Sequence, residues 1–316
     1  MPDVVSALER AIEGLVDAVA GVAVGWLMLG VALHLLNQVA RGRGWYAVIS
    51  SASEAPPRKR DALAAWVAGA GAGGVVSARG GDAVRVLVLA RRMPGKGNRA
   101  LLTGTLVAET VGETLLGLGL LALAVAIGVT PGATPSPTVA LYALAAVAVL
   151  TGIVLIGRRH ARVKRFVVDV KAGCAMVKCP RTYARHVLPW QFASRVARIL
   201  ALGCFLAAFH LPATFAAVLL VTFAQCSGRL VPFSPASVGT GAAILAACFE
   251  PVTGTSVPAS QLAAFFVGTS TVLTVVGTAL ALMLCGAQAS AKAGPSELPV
   301  RAGRLMRIRA AISARP

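Results

Sequence analysis

Long apolar runs separated by short basic patches set the pattern of this chain. Residues 3–18 alternate apolar and acidic positions as an amphipathic lead-in. Residues 19–36, VAGVAVGWLMLGVALHLL, form a first candidate span, which the pattern ends at NQVARGRGWY. That segment offers Arg41, Arg43, Trp45 and Tyr46, residue types that collect at a membrane interface. SEAPPRKR (53–60) is a proline-broken basic turn. Beyond it, only about 16 apolar residues separate Asp61 from Arg79. A helix of that length rises about 24 Å, short of a roughly 30 Å hydrocarbon core. Residues 62–98 therefore predict a re-entrant or broken hairpin, with a plain short span as the alternative. Residues 100–128, 138–157, 188–209 and 262–285 are each suited to cross.

A second interrupted element follows at 213–249. Its apolar run 213–224 meets QCSGRLVPFSPASVGTGA and becomes apolar again at 242–249. Short or Gly/Pro-interrupted apolar segments in two halves of a membrane chain point to a transport site. The expected fold is all-α: a polytopic membrane helical bundle with two re-entrant or broken-helix elements, conceivably an inverted repeat. We place one transmembrane domain at 1–290 and a basic cytoplasmic tail at 291–316.

Composition agrees with that class. The chain has 316 residues, of which 57% are hydrophobic and 13% charged, and a mean hydropathy of +0.76. Soluble domains carry about 25% charged residues. The net charge of +18 lies in loops between spans, as the positive-inside rule requires, and no nucleic-acid motif accompanies it. Residues 158–186 hold nine Lys and Arg against Asp169 alone and mark a cytoplasmic loop. The loop TPGATPSPT, which has no charge, and EPVTGTSVPASQ, nearly uncharged with Glu250 alone, suit the outside, which puts the N-terminus outside and the C-terminus in the cytoplasm. No cleaved signal peptide is expected, because the start is acidic rather than basic and then apolar. The six cysteines lack zinc spacing, so neither a metal nor a cofactor is expected. No P-loop, Rossmann fingerprint, GxSxG or HExxH is present, which argues against an enzyme.

Ionisable residues inside the spans are the candidate chemistry. Glu109 and Glu113 stand four apart near the middle of 100–128, on one helix face. Such residues are costly in hydrocarbon and are functional candidates; the alternative is a structural hydrogen-bonding pair. Arg79, Arg85 and Arg229 are the partners considered for them. Arg79, Asp82 and Arg85 surround Gly80-Gly81, expected to be a turn that ends one short helix and opens another. Arginine forks match phosphate geometry, whereas an interfacial cap with snorkelling arginines is the plainer reading. RLVPFSPASVGTG (229–241) contributes Arg229, Ser234, Pro235 and Gly239 to either a permissive backbone site or a simple helix break. Arg195 and Arg198 are expected to snorkel. His34 is a lone polar group, either an interhelical hydrogen bonder or a proton relay.

The run ARGGDAVRVLVLARRMPGKGNRALLTGTLVAETVGETLLGLGLL resembles the core of the lysylphosphatidylglycerol synthase transmembrane (flippase-domain) family. That family shows Arg-x-Gly-Asp/Glu-x-x-Arg, then a basic interfacial helix, then a span with two acidic residues. Here the matching residues are Arg79, Gly81, Asp82, Arg85, Glu109 and Glu113. VPFSPASVGTGA resembles the family's late Pro-x-x-Pro-Gly-Gly-x-Gly turn through Pro232, Pro235 and Gly239. The similarity spans roughly 15–285. The chain departs from the pattern at Ala236 and Ser237 (paired glycines in the family), at Ala242 (glutamate) and at Thr110 (arginine). The resemblance implies movement of an anionic or lipid-linked amphiphile between leaflets, its head group held by Arg79, Asp82, Arg85, Glu109, Glu113, Arg229, Ser234, Pro235 and Gly239. The substrate would be a membrane phospholipid or a polyprenyl-phosphate-linked lipid. With only a basic tail after residue 285, the soluble aminoacyltransferase of bifunctional members is expected to be missing. An accessory role beside a lipid-modifying enzyme is the second reading, and an ion-coupled solute transporter the third.

Overall fold

The computed structural model describes residues 21–75, 78–93, 98–126, 161–227 and 238–292. They form ten α-helices and one 3-10 turn, and no strand occurs among them. In chain order these are α1 (Val24–Ala52), α2 (Lys59–Val75), α3 (Ala78–Ala90), α4 (Asn98–Ala126), α5 (Ala161–Gly173), α6 (Pro180–His186), α7 (Leu188–Ala208), α8 (Phe215–Ser227), α9 (Val238–Thr253) and α10 (Ala259–Lys292). Segments Asn98–Ala124, Leu188–Ala208 and Ala259–Leu284 are long and apolar enough to cross a membrane. The lead-in at 3–18, the span at 138–157 and most of the basic tail lie outside the described residues.

The first helix does not stop at NQVARGRGWY. It runs unbroken for 29 residues to Ala52. A buried glycine in a helix costs about 1 kcal/mol relative to alanine, and here packing offsets it. A Cβ on Gly42 would come within 2.8 Å of Leu63 Cδ1, and one on Gly44 within 3.5 Å of Trp190 Cβ. These two glycines let α2 and α7 lie close against α1. Trp45 and Ile49 then bury with Trp66, Leu89 and Leu102. Antiparallel packing of α1 on α7 runs from Ala23, whose N–H donates to Ala208 O at 2.9 Å, to Gly44 beside Trp190.

Helices α2 and α3 form the first interrupted element. At 17 and 13 residues they rise about 25 and 20 Å, and neither spans the core alone. They lie antiparallel: Arg92 pairs with Asp61 at the open end (3.2 Å), and Gly81 faces Gly69 and Gly73 near the break. Helix α3 begins at Ala78, ahead of Gly80 and Gly81. Gly80 and Gly81 are therefore not the turn, as their sequence suggested. They sit in the first turn of α3, where a Cβ on Gly81 would strike the Gly69 carbonyl and stand 3.0 Å from Gly73 Cα. Gly81 thus serves close backbone approach, a common use of small residues between membrane helices. Helix α10 packs on α2 in the same way, with Gly277 O 3.2 Å from where a Gly71 Cβ would be.

The second interrupted element is α8 and α9, with the break at 228–237 outside the described residues. These helices join α7 and α10 in the largest core cluster, around Phe205, Phe209, Leu220, Leu245, Phe249 and Phe265. The basic stretch expected as a loop is structured in its described part. Helix α5 crosses α4 at Gly104 and Gly173, whose backbones touch, and Met176, Tyr183 and Val187 bury against Val48 and Ala108. Lys164, Lys171, Lys178, Arg181 and Arg185 are exposed while Met176, Tyr183 and Val187 pack, so hydropathy averaged along the segment hid the helices.

Substituting the contact glycine and a free one should have opposite effects. Gly81→Leu is expected to lower stability by about 1–3 kcal/mol or more, as overpacking does. Gly117 meets nothing within 4 Å, so Gly117→Ala should raise stability by up to about 1 kcal/mol. Thermal unfolding of the purified protein in detergent checks both.

Candidate functional site

Helix α4 carries Glu109 and Glu113 one turn apart, and both face Arg41 of α1. Arg41 Nη2 stands 3.3 Å from Glu109 Oε1 and also pairs with Glu113 Oε1. Glu109 lies 11 residues into α4, about 16 Å along its axis, near mid-membrane for a crossing helix. Arg41, which the sequence did not offer as a partner, thus pairs with both glutamates; the Arg79 side chain and Arg229 lie outside the described residues. Bilayer insertion scales price a central charged residue at about 2.5–3.5 kcal/mol. Mutual pairing of three such groups across two helices removes much of that cost and pins α1 to α4.

The hairpin completes the cluster through an indole. Trp66 of α2 is fully buried and carries the Arg85 guanidinium 3.8 Å from its ring centroid, with Arg41 at 4.9 Å. Cation–π contacts of this kind strengthen when desolvated. Arg85 Cγ occupies the space a Gly69 side chain would fill, so the missing Cβ admits the arginine. Arg85 Nη1 pairs with Asp82 Oδ1 at 3.1 Å. Arg85 also lies within electrostatic reach of Glu109 and Glu113. Trp66 Nε1 donates to Gln38 Oε1 at 2.9 Å, and Gln38 Nε2 donates to His34 Nε2 at 3.0 Å. His34 is therefore hydrogen-bonded along its own helix and joined to the cluster.

Helices α6 and α7 supply the backing. Gln191 Nε2 donates to Glu109 O (3.0 Å), Tyr183 Oη donates to Ala108 O (3.1 Å), and Arg195 Nη2 donates to Glu113 O (3.3 Å). These carbonyls already serve the α4 ladder, so the bonds fix the helix face that presents both glutamates. A Cβ on Gly112 would collide with Gln191 Oε1 and Tyr183 Oη, which makes glycine necessary between the two acids. Burial pushes the Tyr183 phenol above its ordinary value, so the hydroxyl remains a donor at neutral pH. Arg198 Nη2 donates to Gln225 Oε1 at 2.8 Å. Arg195 and Arg198 thus bond inward to α4 and α8 instead of snorkelling, because they sit two and three turns inside α7.

An open groove of about 520 Å³ runs along the outer face of α4 beside Asp82, with Thr103, Thr110, Thr114 and Val111 in its wall. Each of these threonine hydroxyls donates to the carbonyl four residues back, at 2.8–2.9 Å. Their donor hydrogens are used within α4, and the rest of the wall is Leu106, Val107, Val111 and Leu115, so the groove is largely apolar apart from Asp82.

Of the residues singled out in the sequence, Asp82, Arg85, Glu109 and Glu113 converge here. Arg79 lies in the first turn of α3 and Gly239 in the first turn of α9; the Arg79 side chain, Arg229, Ser234 and Pro235 fall outside the described residues. Sequence reasoning missed Arg41, Trp66, Gln38, Gln191 and the inward use of Arg195. A shared spacing would have found several of them. His34, Gln38 and Arg41 on α1 and Gln191, Arg195 and Arg198 on α7 both repeat at i, i+4 and i+7, one stripe of a helix. Among the described residues, no three His, Cys, Asp or Glu side chains gather as a metal site would require.

The family model for the lysylphosphatidylglycerol synthase TM region matches residues 5–281. No curated protein and no solved structure matches the chain.

Removing Arg41 alone should be worse than removing the whole cluster. Arg41→Gln leaves two glutamates facing each other in the interior, a change of about 3–5 kcal/mol for broken buried pairs. The neutral triple variant R41Q/E109Q/E113Q is expected to recover most of that loss. Unfolding of the two proteins in the same detergent makes the comparison.

Proposed function

The chain belongs to the lysylphosphatidylglycerol synthase transmembrane-region family, and from its buried ion cluster we propose that it moves an anionic or lipid-linked amphiphile between membrane leaflets. The observation that carries this reading is the Arg41–Glu109–Glu113 cluster in mid-helix, set against a hairpin that stops short of crossing and bears Arg85. An isolated ionised group moved into hydrocarbon faces a cost of tens of kcal/mol by Born estimates. A translocase has to lower that cost with polar groups at depth that keep their own charge balanced. Two arginines and two glutamates around Trp66 meet both needs. Arg85 receives the head group, the glutamates keep Arg41 and Arg85 from holding it too tightly, and the acyl chains stay in lipid.

The substrate class is a phospholipid or a polyprenyl-phosphate-linked lipid, and the activity is transport rather than catalysis. In this reading the protein resides in the cell membrane, with the basic face of α5 and α6 and the C-terminal tail in the cytoplasm and the N-terminus outside. A lipid-modifying enzyme acting on the same lipid is a natural partner.

A second reading, an accessory subunit for an envelope-lipid or polyprenyl-phosphate enzyme, draws on Ala242. The resemblance puts a glutamate there, whereas Ala242 packs against the main apolar cluster. Co-purification with a synthase and no transfer by the isolated chain would favour it.

Leaflet transfer of a fluorescent phosphatidylglycerol in reconstituted vesicles tests the main proposal. Glu109→Gln and Arg85→Gln are each expected to slow transfer at least about tenfold, equivalent to roughly 1.4 kcal/mol in the barrier. Folded variants that transfer at the parent rate would refute it.

A further inference from the structure

The two arginines that flank Trp66 are not equivalent. Arg41 is engaged by two carboxylates from another helix. Among the described residues, Arg85 has one ion pair, through a single oxygen, to Asp82 on its own helix. The Asp82 side chain is 54% exposed, whereas that of Arg85 is 14% exposed. Arg85 is held in place without Asp82, by the indole face and by the space at Gly69. Its Nε, like that of Arg41, is buried and has no hydrogen-bond partner among the described residues, so the difference between the two lies in their carboxylates. A guanidinium so placed has unused donor capacity, and its fork suits an anion with two free oxygens. Asp82 meets Nη1 through one oxygen and at the same time lines the apolar groove along α4. Only the carboxylate of this i,i+3 pair is exposed, and it reaches Arg85 through one oxygen, so it is the partner that can be exchanged.

We propose that Asp82 is a built-in competitor for a phosphodiester at Arg85, displaced when an anionic phospholipid lays an acyl chain in the groove between α3 and α4. This rests on the translocase reading and adds the entry site and its release mechanism. The lipid enters sideways at the groove, and its phosphate takes the Arg85 fork as Asp82 swings outward. Asp82 returns as the phosphate leaves, so the arginine is never left without a counter-charge. The occupant is lipid rather than free phosphate, because the groove beside Asp82 presents methyl and aliphatic surface along an exposed helix face.

The test is equilibrium binding of short-chain phosphatidylglycerol to the full chain in neutral detergent, by calorimetry, with inorganic phosphate as the comparison ligand. Asp82→Asn should bind the lipid at least threefold more tightly than the parent, and Asp82→Ser should do the same if the asparagine variant folds poorly. Arg85→Lys, which keeps the charge and loses the fork, should weaken binding at least tenfold. Val111→Trp, which fills the groove, should weaken the lipid and leave phosphate binding unchanged. Equal or weaker lipid binding by both Asp82 variants overturns the competitor, even where the parent still transfers lipid between leaflets. Phosphate binding as tight as lipid binding overturns the groove. Absence of lipid binding by every form, together with absence of transfer, overturns this proposal and the translocase reading together.

Discussion

A charge buried in hydrocarbon must meet its opposite, and in this protein that requirement falls on Arg41. Standing between Glu109 and Glu113, it ties α1 to α4, a helix long and apolar enough to cross a membrane. Much else follows from holding that contact. Helix α1 has to continue through Gly42 and Gly44 to carry Arg41 inward. Gly112 has to lack a side chain so that Gln191 and Tyr183 can fix the α4 backbone. Trp66 has to be buried, since its face is what the second arginine rests on.

Close approach is the second organising device. Lipid tails are as apolar as leucine, so hydrophobic transfer does little to bring membrane helices together and packing decides which ones meet. Backbones touch where glycine allows it: Gly69, Gly73 and Gly81 within the hairpin, Gly71 and Gly277 between α2 and α10, Gly104 and Gly173 between α4 and α5. The hairpin so formed is too short to cross. Its helix α3 therefore ends beside the start of α2, at Asp61 and Arg92, and brings Arg85 against the cluster from one face of the bundle. Family membership supports a role in membrane lipid chemistry. Arg41 is paired with two carboxylates of another helix and Arg85 with one on its own helix, and the proposed function builds on that difference.

Much of the fold was legible in the linear pattern. The runs at 100–128, 188–209 and 262–285 became α4, α7 and α10 with small shifts at their ends, because length and hydropathy are local quantities that a bilayer reads directly. The interrupted elements were visible for the same reason: apolar runs too short to span, next to glycine and proline. Glu109 and Glu113 stood out as acids inside a span, and Asp82 with Arg85 as charges at a break.

Sequence alone therefore determined the helical membrane class, the positions of the crossing helices and the acids that had to find partners. The partners themselves were decided by tertiary structure. Arg41 resembled an interfacial stop because glycine and arginine after an apolar run end helices locally. Only the neighbours of α1, with two carboxylates on one side and an indole on another, turn that residue inward. Gly80-Gly81 resembled a turn because glycine permits one, yet contact with Gly69 and Gly73 uses Gly81 for packing. The basic stretch after residue 160 resembled a loop, and α4 gave it a surface to fold against. In each case the local signal listed what a residue could do, and the distance to a group remote in the chain selected what it does.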